Sequence, residues 1–174
     1  GFAKSVRAWI EFLYDRFPIE GDERFEFVRY PARQSPIFFD LPSFDDTVVV
    51  TVWRSVVNGA FDHGFYQSAS ARAEVELGQG KDQAVLSTKS RIGPDEAVNN
   101  TLTLALDEVV WGEVGEAENP VGTMDYQRFD YRNEQCFAFA RPFAPARKQL
   151  GQTKLLSGFY CHLRGTPLTD QDIA

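Results

Sequence analysis

Two cysteines and two histidines are the side chains of this 174-residue sequence best suited to nucleophilic or metal chemistry. A cysteine thiolate beside a histidine would supply the nucleophile and the base of a hydrolase. Cys161 and His162 are adjacent in a segment with strand composition, so their side chains point to opposite faces. The spacing of these residues matches no zinc motif, and we predict no metal site.

The two cysteines fall in two segments, 135–141 and 155–163, that both have the composition of β-strands. In an antiparallel hairpin with Phe143 opposite Lys154, Cys136 lies opposite Cys161, because each is seven residues away from that pair. Opposed Cα atoms are roughly 4.5–5.5 Å apart, which is within disulfide range. We predict a disulfide, which indicates an oxidising compartment. Two buried free thiols are the alternative, and they would restore the thiol nucleophile.

Other reactive side chains give weaker signals. His63 follows Asp62, but adjacent residues rarely act as a base and its orienting partner, and both types are ordinary in turns. Glu74 and Glu76 share one face of a predicted strand, as glycosidase carboxylates can, although exposed alternating acids explain them equally well. The sequence has no Gly-x-Ser-x-Gly motif, and the glycines at 78 and 80 lack the rest of a phosphate-binding loop. We predict no catalytic residue and no cofactor.

Composition and charge restrict the class of protein. A chain of this length with 43% hydrophobic residues fits one globular domain, 1–174. The net charge of -7 disfavours binding to nucleic acid and general adsorption to anionic lipid. No apolar run reaches the roughly 20 residues that a membrane helix needs. Gly1 could follow a removed signal or lipid anchor, so we expect a longer precursor and a membrane link only through that upstream segment.

The elements that must position these residues are mostly strands. Helical spacing of apolar residues predicts an amphipathic helix over 2–17, which ends before Pro18. Residues 94–111 fit both periodicities, and we favour a helix, whereas residues 112–122 are acidic and glycine-rich and predict a loop. Thr169, with an acid three residues later, predicts the start of a C-terminal helix. Strands are predicted at 24–30, 47–57 (as a central strand), 65–77, 83–91, 124–131, 135–141 and 155–163, and turns at Asn58-Gly59 and His63-Gly64.

Aromatic residues make up 14% of the chain and fall largely on the predicted strands. Most of them must fill the core between the sheet and the helices. A remaining set could line an apolar pocket or a surface for a partner. The candidates for such a surface are Trp53, Phe65, Tyr66, Tyr126 and Tyr160.

The C-terminal part of the chain resembles the end of small exported bacterial proteins of uncharacterised function. The resemblance rests on the strand around Cys136, on Leu156–Cys161 (Leu-Ser-Gly-Phe-Tyr-Cys) and on Gly165–Asp170 (Gly-Thr-Pro-Leu-Thr-Asp). It implies export and a disulfide. It carries no catalytic residue and therefore names no activity.

We therefore predict an α+β domain with a mainly antiparallel sheet, packed with an N-terminal amphipathic helix and a C-terminal helix. The expected function is non-catalytic binding in the periplasm or outside the cell, by an envelope-associated protein or a lipoprotein. Its partner would be another envelope protein or an apolar small molecule. The alternative is a hydrolase that uses a Cys/His or a carboxylate pair.

Overall fold

The computed structural model describes residues 24–31, 34–35, 37, 44, 47–119, 122–163, 165 and 167–173. Within them the chain forms one antiparallel sheet of eight strands, in the spatial order β1-β2-β3-β4-β8-β7-β6-β5. The strands are β1 (Arg24–Pro31), β2 (Val48–Val56), β3 (Gly59–Gln67), β4 (Ala71–Gly80), β5 (Val110–Asn119), β6 (Gly122–Tyr131), β7 (Glu134–Pro145) and β8 (Gln152–His162).

The sheet consists of two four-stranded meanders, β1 to β4 and β5 to β8. Strands that follow one another in sequence pair within each meander, and β4 pairs with β8 to join the two. The connection 81–109 runs between the meanders and contains the short helix α1 (Pro94–Ala97). A second short helix, α2 (Asp170–Ile173), follows β8. The sheet-dominated, antiparallel fold expected from the sequence is thus confirmed.

The two predicted terminal helices have different outcomes. The amphipathic helix at 2–17 lies outside the described residues. The C-terminal helix is present, and its cap is the predicted one, because both the N–H and the hydroxyl of Thr169 donate to Asp172 Oδ2 at 2.8 and 2.7 Å. Among the described residues, we find no helix with the length and hydrophobicity that a membrane crossing requires.

The strand predicted at 65–77 is wrong, because a turn divides it into β3 and β4. Ser68 forms that turn: its Oγ accepts the N–H groups of Ser70 and Ala71, and its own N–H donates to the Ala71 carbonyl. The turn contains no Gly, Pro, Asn or Asp, and the serines that form it are a weaker turn signal. The turn expected at His63-Gly64 lies instead in the middle of β3, where a Cβ on Gly64 would come within 2.9 Å of the Tyr66 ring.

Three further predictions around the connection are wrong. Residues 83–91 form no strand, only an isolated bridge between Ser87 and Gln152. The helix favoured over 94–111 is reduced to α1 and two three-residue 3-10 turns. The loop expected at 112–122 is mostly β5. An outermost strand has one paired side, so it tolerates the acidic and glycine-rich composition that indicated a loop. The segment 47–57 is confirmed as a strand, but β2 is second from one end of the sheet rather than central.

Both faces of the sheet are covered by apolar side chains. The face that carries Tyr66, Val75 and Tyr160, here called the tyrosine face, packs against Phe44 and Leu168. The opposite face, here called the disulfide face, carries its own cluster, which includes part of the connection. That cluster is formed by Val98, Leu104, Phe129, Tyr131, Cys136, Ala138, Phe159 and Cys161. The connection therefore covers this part of the disulfide face.

The predicted hairpin and its disulfide are present in the predicted register. Phe143 pairs with Lys154, and Cys136 pairs with Cys161. The two cysteines are bonded, with Cα atoms 4.0 Å apart, and no cysteine is free. The two residues are directly opposed, so the disulfide joins β7 to β8. It lies near the end of the ladder where most buried residues of the two strands are found.

We expect replacement of both cysteines, Cys136→Ala with Cys161→Ala, to lower the free energy of unfolding by about 3 kcal/mol, because the bond restricts the unfolded chain over a separation of 25 residues. Urea unfolding followed by tryptophan fluorescence would measure the loss. The wild-type chain in excess reductant is the matched control and should unfold at nearly the same urea concentration as the variant. An unchanged midpoint in the variant would contradict a stabilising role for the disulfide.

Candidate functional site

A buried ionic cluster of His63, Glu74 and Glu76 lies on the disulfide face, where β3 pairs with β4. His63 and Glu76 are directly opposed, and Glu74 lies two residues earlier on β4. The His63 Nδ1 atom is 3.0 Å from Glu76 Oε2, and its Nε2 atom is 2.6 Å from Glu74 Oε1. The side chains of His63, Glu74 and Glu76 are 11%, 1% and 14% exposed. Strand alternation thus places one imidazole between two carboxylates in the interior.

Glu74 also binds the connection that covers this face. Its carboxylate accepts the backbone N–H groups of Leu102 at 2.5 Å and Thr103 at 3.0 Å, together with the Thr103 hydroxyl. A carboxylate that is withdrawn from water needs such donors in place of its hydration shell. Glu74 therefore fastens the segment around Leu102 and Thr103 to the middle of the sheet.

The carboxylates decide the charge of His63. Burial lowers the pKa of the imidazole, but the hydrogen bonds and the negative charges of Glu74 and Glu76 outweigh burial and raise the pKa to about 9. At neutral pH His63 is therefore an imidazolium, and each of its N–H groups donates to a different carboxylate. The cluster as a whole contains one positive and two negative charges.

The cluster is closed to substrates. Its surroundings leave no space for a water molecule. An imidazolium with both N–H groups donated has no lone pair with which to accept a proton or to bind a metal ion. The arrangement is suited to joining β3, β4 and the connection rather than to acid–base chemistry. The lining residues are His63, Glu74, Val75, Glu76, Ala97, Thr101, Ser157 and Gly158.

A second ion pair lies beside the disulfide. Arg72 Nε donates to Glu134 Oε2 at 2.9 Å, and the Arg72 guanidinium lies over the rings of Tyr131 and Phe159, 5.3 and 5.2 Å from their centroids. Glu134 and the two cysteine sulfurs approach within 4.8 Å of one another. The sulfurs are bonded to each other and the carboxylate binds Arg72. These groups therefore connect β4, β7 and β8 and are not arranged to ligate a metal ion.

The remaining histidine holds the C-terminal segment. His162 Nδ1 is 2.9 Å from the carbonyl oxygen of Pro167, and its Nε2 atom is 3.9 Å from Asp172 Oδ1. The imidazole also contacts the ring of Tyr160 at 5.3 Å between centroids. His162 is thus a packing residue that anchors the segment leading into α2.

An open groove of about 280 Å³ lies along the connection. One of its sides carries Lys89 and Glu96, whose charged atoms are 3.6 Å apart. Its lining mixes apolar and polar side chains, and the pairing of its two charged residues leaves no strongly charged group directed at a ligand. The lining residues are Val85, Leu86, Ser87, Thr88, Lys89, Ile92 and Glu96.

Of the five aromatic residues expected to form a ligand or partner surface, Tyr66, Tyr160 and Tyr126 meet in the core cluster of the tyrosine face, and Trp53 and Phe65 lie outside that cluster. Phe65, Tyr66 and Tyr160 are buried in the core, and the Tyr66 hydroxyl donates to the carbonyl of Ile37. Trp53 on β2 and Tyr126 on β6 are half-buried, with four strands between them. The structure thus assigns three of the five to packing, and a surface role for Trp53 and Tyr126 stays a prediction.

The ionic cluster is not predicted by the sequence. The local pattern indicates a turn at His63 and exposed acids at Glu74 and Glu76, although Glu74 is 1% exposed. The missing signal was the turn at Ser68, because a hairpin closed there places His63 opposite Glu76 by register alone. The burial of Glu74 was not visible in the local pattern, since its other donors come from residues 28 and 29 positions later.

Comparisons with protein-family models, with curated proteins and with solved structures found no match. The resemblance of the C-terminal part to small exported bacterial proteins therefore stays a prediction.

Replacing Glu74 with glutamine should destabilise the fold by roughly 3–5 kcal/mol, because it removes one charge from a buried pair and leaves His63 partly uncompensated. Glu76→Gln is the matched control, since Glu76 is more exposed and binds no part of the connection, and its effect should be smaller. Chemical unfolding would measure both. Equal losses for the two variants would contradict the special role of Glu74.

Stability should also depend on the protonation of His63. Its pKa is raised in the folded state, so its contribution is fully present below pH 6.5 and is lost as the pH rises through about 9. The full loss corresponds to about 3 kcal/mol. We expect the urea concentration at the midpoint of unfolding to decrease as the pH is raised from 7 to 10.

Nitrogen-15 NMR of the imidazoles would report the titration directly. The chain has only two histidines, so the variant His162→Gln assigns both sets of signals. His63 should remain doubly protonated at pH 7.5, where an ordinary histidine is largely neutral. A neutral His63 signal at that pH would contradict the charged cluster.

Proposed function

We propose that this chain is a non-catalytic binding protein of an oxidising compartment, the periplasm or the cell exterior, and that it acts on another envelope protein. One observation carries the proposal. Both cysteines and both histidines of the sequence are held in contacts that stabilise the fold. The chain therefore keeps its most reactive side chains for structure, which leaves recognition as the role of its surface.

The disulfide supports the choice of compartment. A bond between strands β7 and β8 persists where thiols are oxidised, and it is rare where glutathione keeps them reduced. The acidic character of the chain supports a protein partner over nucleic acid.

The hydrolase alternative receives little support from the same geometry. A Cys/His nucleophile needs a thiolate, and both sulfurs are in the disulfide. The carboxylate pair Glu74 and Glu76 is closed off and shares one imidazolium, so neither side chain reaches a substrate. The experiment that separates the two functions therefore addresses these groups.

Thiol titration in denaturant tests the proposal on protein made in a bacterial periplasm. We expect no reactive thiol before reduction and two after it, because the sequence has two cysteines. In the same preparation, ester, peptide and glycoside substrates should not turn over above the rate of the matched variant Glu76→Gln. Two free thiols, or a turnover that Glu76→Gln abolishes, would contradict the proposed function.

A further inference from the structure

We propose that the outer edge of β5 is the docking site of the protein, and that it binds an extended, positively charged segment of a partner protein by adding it to the sheet as a further strand. This inference rests on the proposed function, since it names the surface through which the binding would occur. It is carried by the exposure, the rigidity and the charge of one strand.

The first observation is that β5 is exposed. It is the last strand in the sheet, and within the described ranges it pairs only with β6. Val110 and Val114 are 66% and 70% exposed, although both lie on a strand. A strand in this position presents a row of N–H and C=O groups to solvent, and an extended peptide can pair with them.

The second observation is that the edge is held in place. Trp111 packs on Phe129 of β6, with ring centroids 5.3 Å apart. Arg91, from the connection, donates to Asp125 Oδ2 at 2.8 Å and also to Glu116, so it ties β5 to β6 from the disulfide face. A preformed edge loses little conformational freedom when a peptide binds, which favours affinity.

The third observation is the charge of the strand. β5 carries Glu113, Glu116 and Glu118 and no lysine or arginine, and all three carboxylates are exposed. Its register with β6 puts Val114, Glu116 and Glu118 on one face of the sheet at alternate positions. Glu116 is already paired with Arg91, so a complementary strand would place an apolar residue beside Val114 and a cation beside Glu118.

The same charges argue against a second copy of this chain as the occupant. Self-pairing of two β5 strands would gather six carboxylates along one ladder, three from each copy, and of the three only Glu116 has an ion-pair partner among the described residues, Arg91. Like charges that face each other across a ladder are destabilising. The register shift between Trp111 and Val114 also interrupts regular self-pairing. The acidic residues and the register shift therefore disfavour pairing of β5 with β5 of a second copy. A basic strand would still pair with β5 favourably.

Synthetic decapeptides would test the docking site. The probe alternates lysine with threonine around one valine, and its counterpart carries glutamate in place of lysine. We expect the lysine peptide to bind in fluorescence anisotropy at low salt, to bind more weakly as salt is added, and to bind roughly ten-fold or more tightly than the glutamate peptide. Hydrogen exchange should slow at β5 when the lysine peptide is bound.

Two controls separate strand pairing from charge attraction. The lysine peptide with every backbone nitrogen methylated keeps its charge but cannot donate to β5, and its affinity should fall about ten-fold or more. The protein variant Glu113→Lys with Glu118→Lys should weaken the lysine peptide by a similar factor. The variant Asp95→Lys, which reverses the charge of an exposed acid on α1 rather than on β5, should leave binding unchanged.

Equal binding of the methylated and unmethylated peptides would overturn the proposal, as would an equal effect of Asp95→Lys or an absence of binding. A dimer in sedimentation that Val114→Lys dissociates would overturn it in favour of a second copy. If the thiol titration gives the expected result and the peptides do not bind, the docking site fails while the proposed function stands. Free thiols or hydrolytic turnover would instead remove the proposed function itself.

Discussion

The ladder between β4 and β8 is the contact on which the rest of this structure depends, because it joins two meanders that are formed by separate parts of the chain. The close approach of these strands is visible at Gly158, where a Cβ would come within 2.2 Å of the Glu74 carbonyl oxygen. Glu74 lies opposite Phe159, and Arg72 lies opposite Cys161 in this ladder. The buried ion pairs and the disulfide therefore gather around one pair of strands. Contacts between distant parts of the sequence cost loop-closure entropy, and the ion pair between Arg72 of β4 and Glu134 of β7 joins the two meanders and helps to offset it.

Within the described residues, the ionic cluster shows how a connection with only short helical turns covers part of the disulfide face. The connection has short helical turns, so its backbone leaves polar groups that regular structure would otherwise pair. Glu74 accepts two of those N–H groups, and the imidazolium of His63 compensates the negative charge of the Glu74 carboxylate. A buried carboxylate is costly unless each of its oxygens has donors, and here the donors come from both the sheet and its cover. The cluster thus determines where the connection lies on the sheet.

The proposed function follows from the contrast between the interior and the edge. In the interior, cysteines, histidines and carboxylates are consumed by contacts within the chain. At β5, carboxylates and valines face solvent on a strand that is already ordered. Side chains that are buried and bonded to one another in the core do not reach a substrate. An ordered strand with one unpaired side can be recognised by its backbone and its charge. We therefore propose recognition at an edge as the activity of this architecture.

The sequence by itself determined the antiparallel β7–β8 hairpin, the pairing of Cys136 with Cys161 and the cap at Thr169. These features depend on residues close together in the chain, where strand alternation and turn length restrict the register. Only the tertiary structure decided that His63 and Glu74 form a charged interior, because their environment includes a connection that lies far away in sequence. It also decided that residues 112–119 form a strand, since an acidic and glycine-rich segment has no strand signal of its own and is extended here by its pairing with β6. The local sequence pattern specifies contacts between residues that are near in sequence. The burial of a residue and the edge position of a strand depend on which distant segments pack beside them.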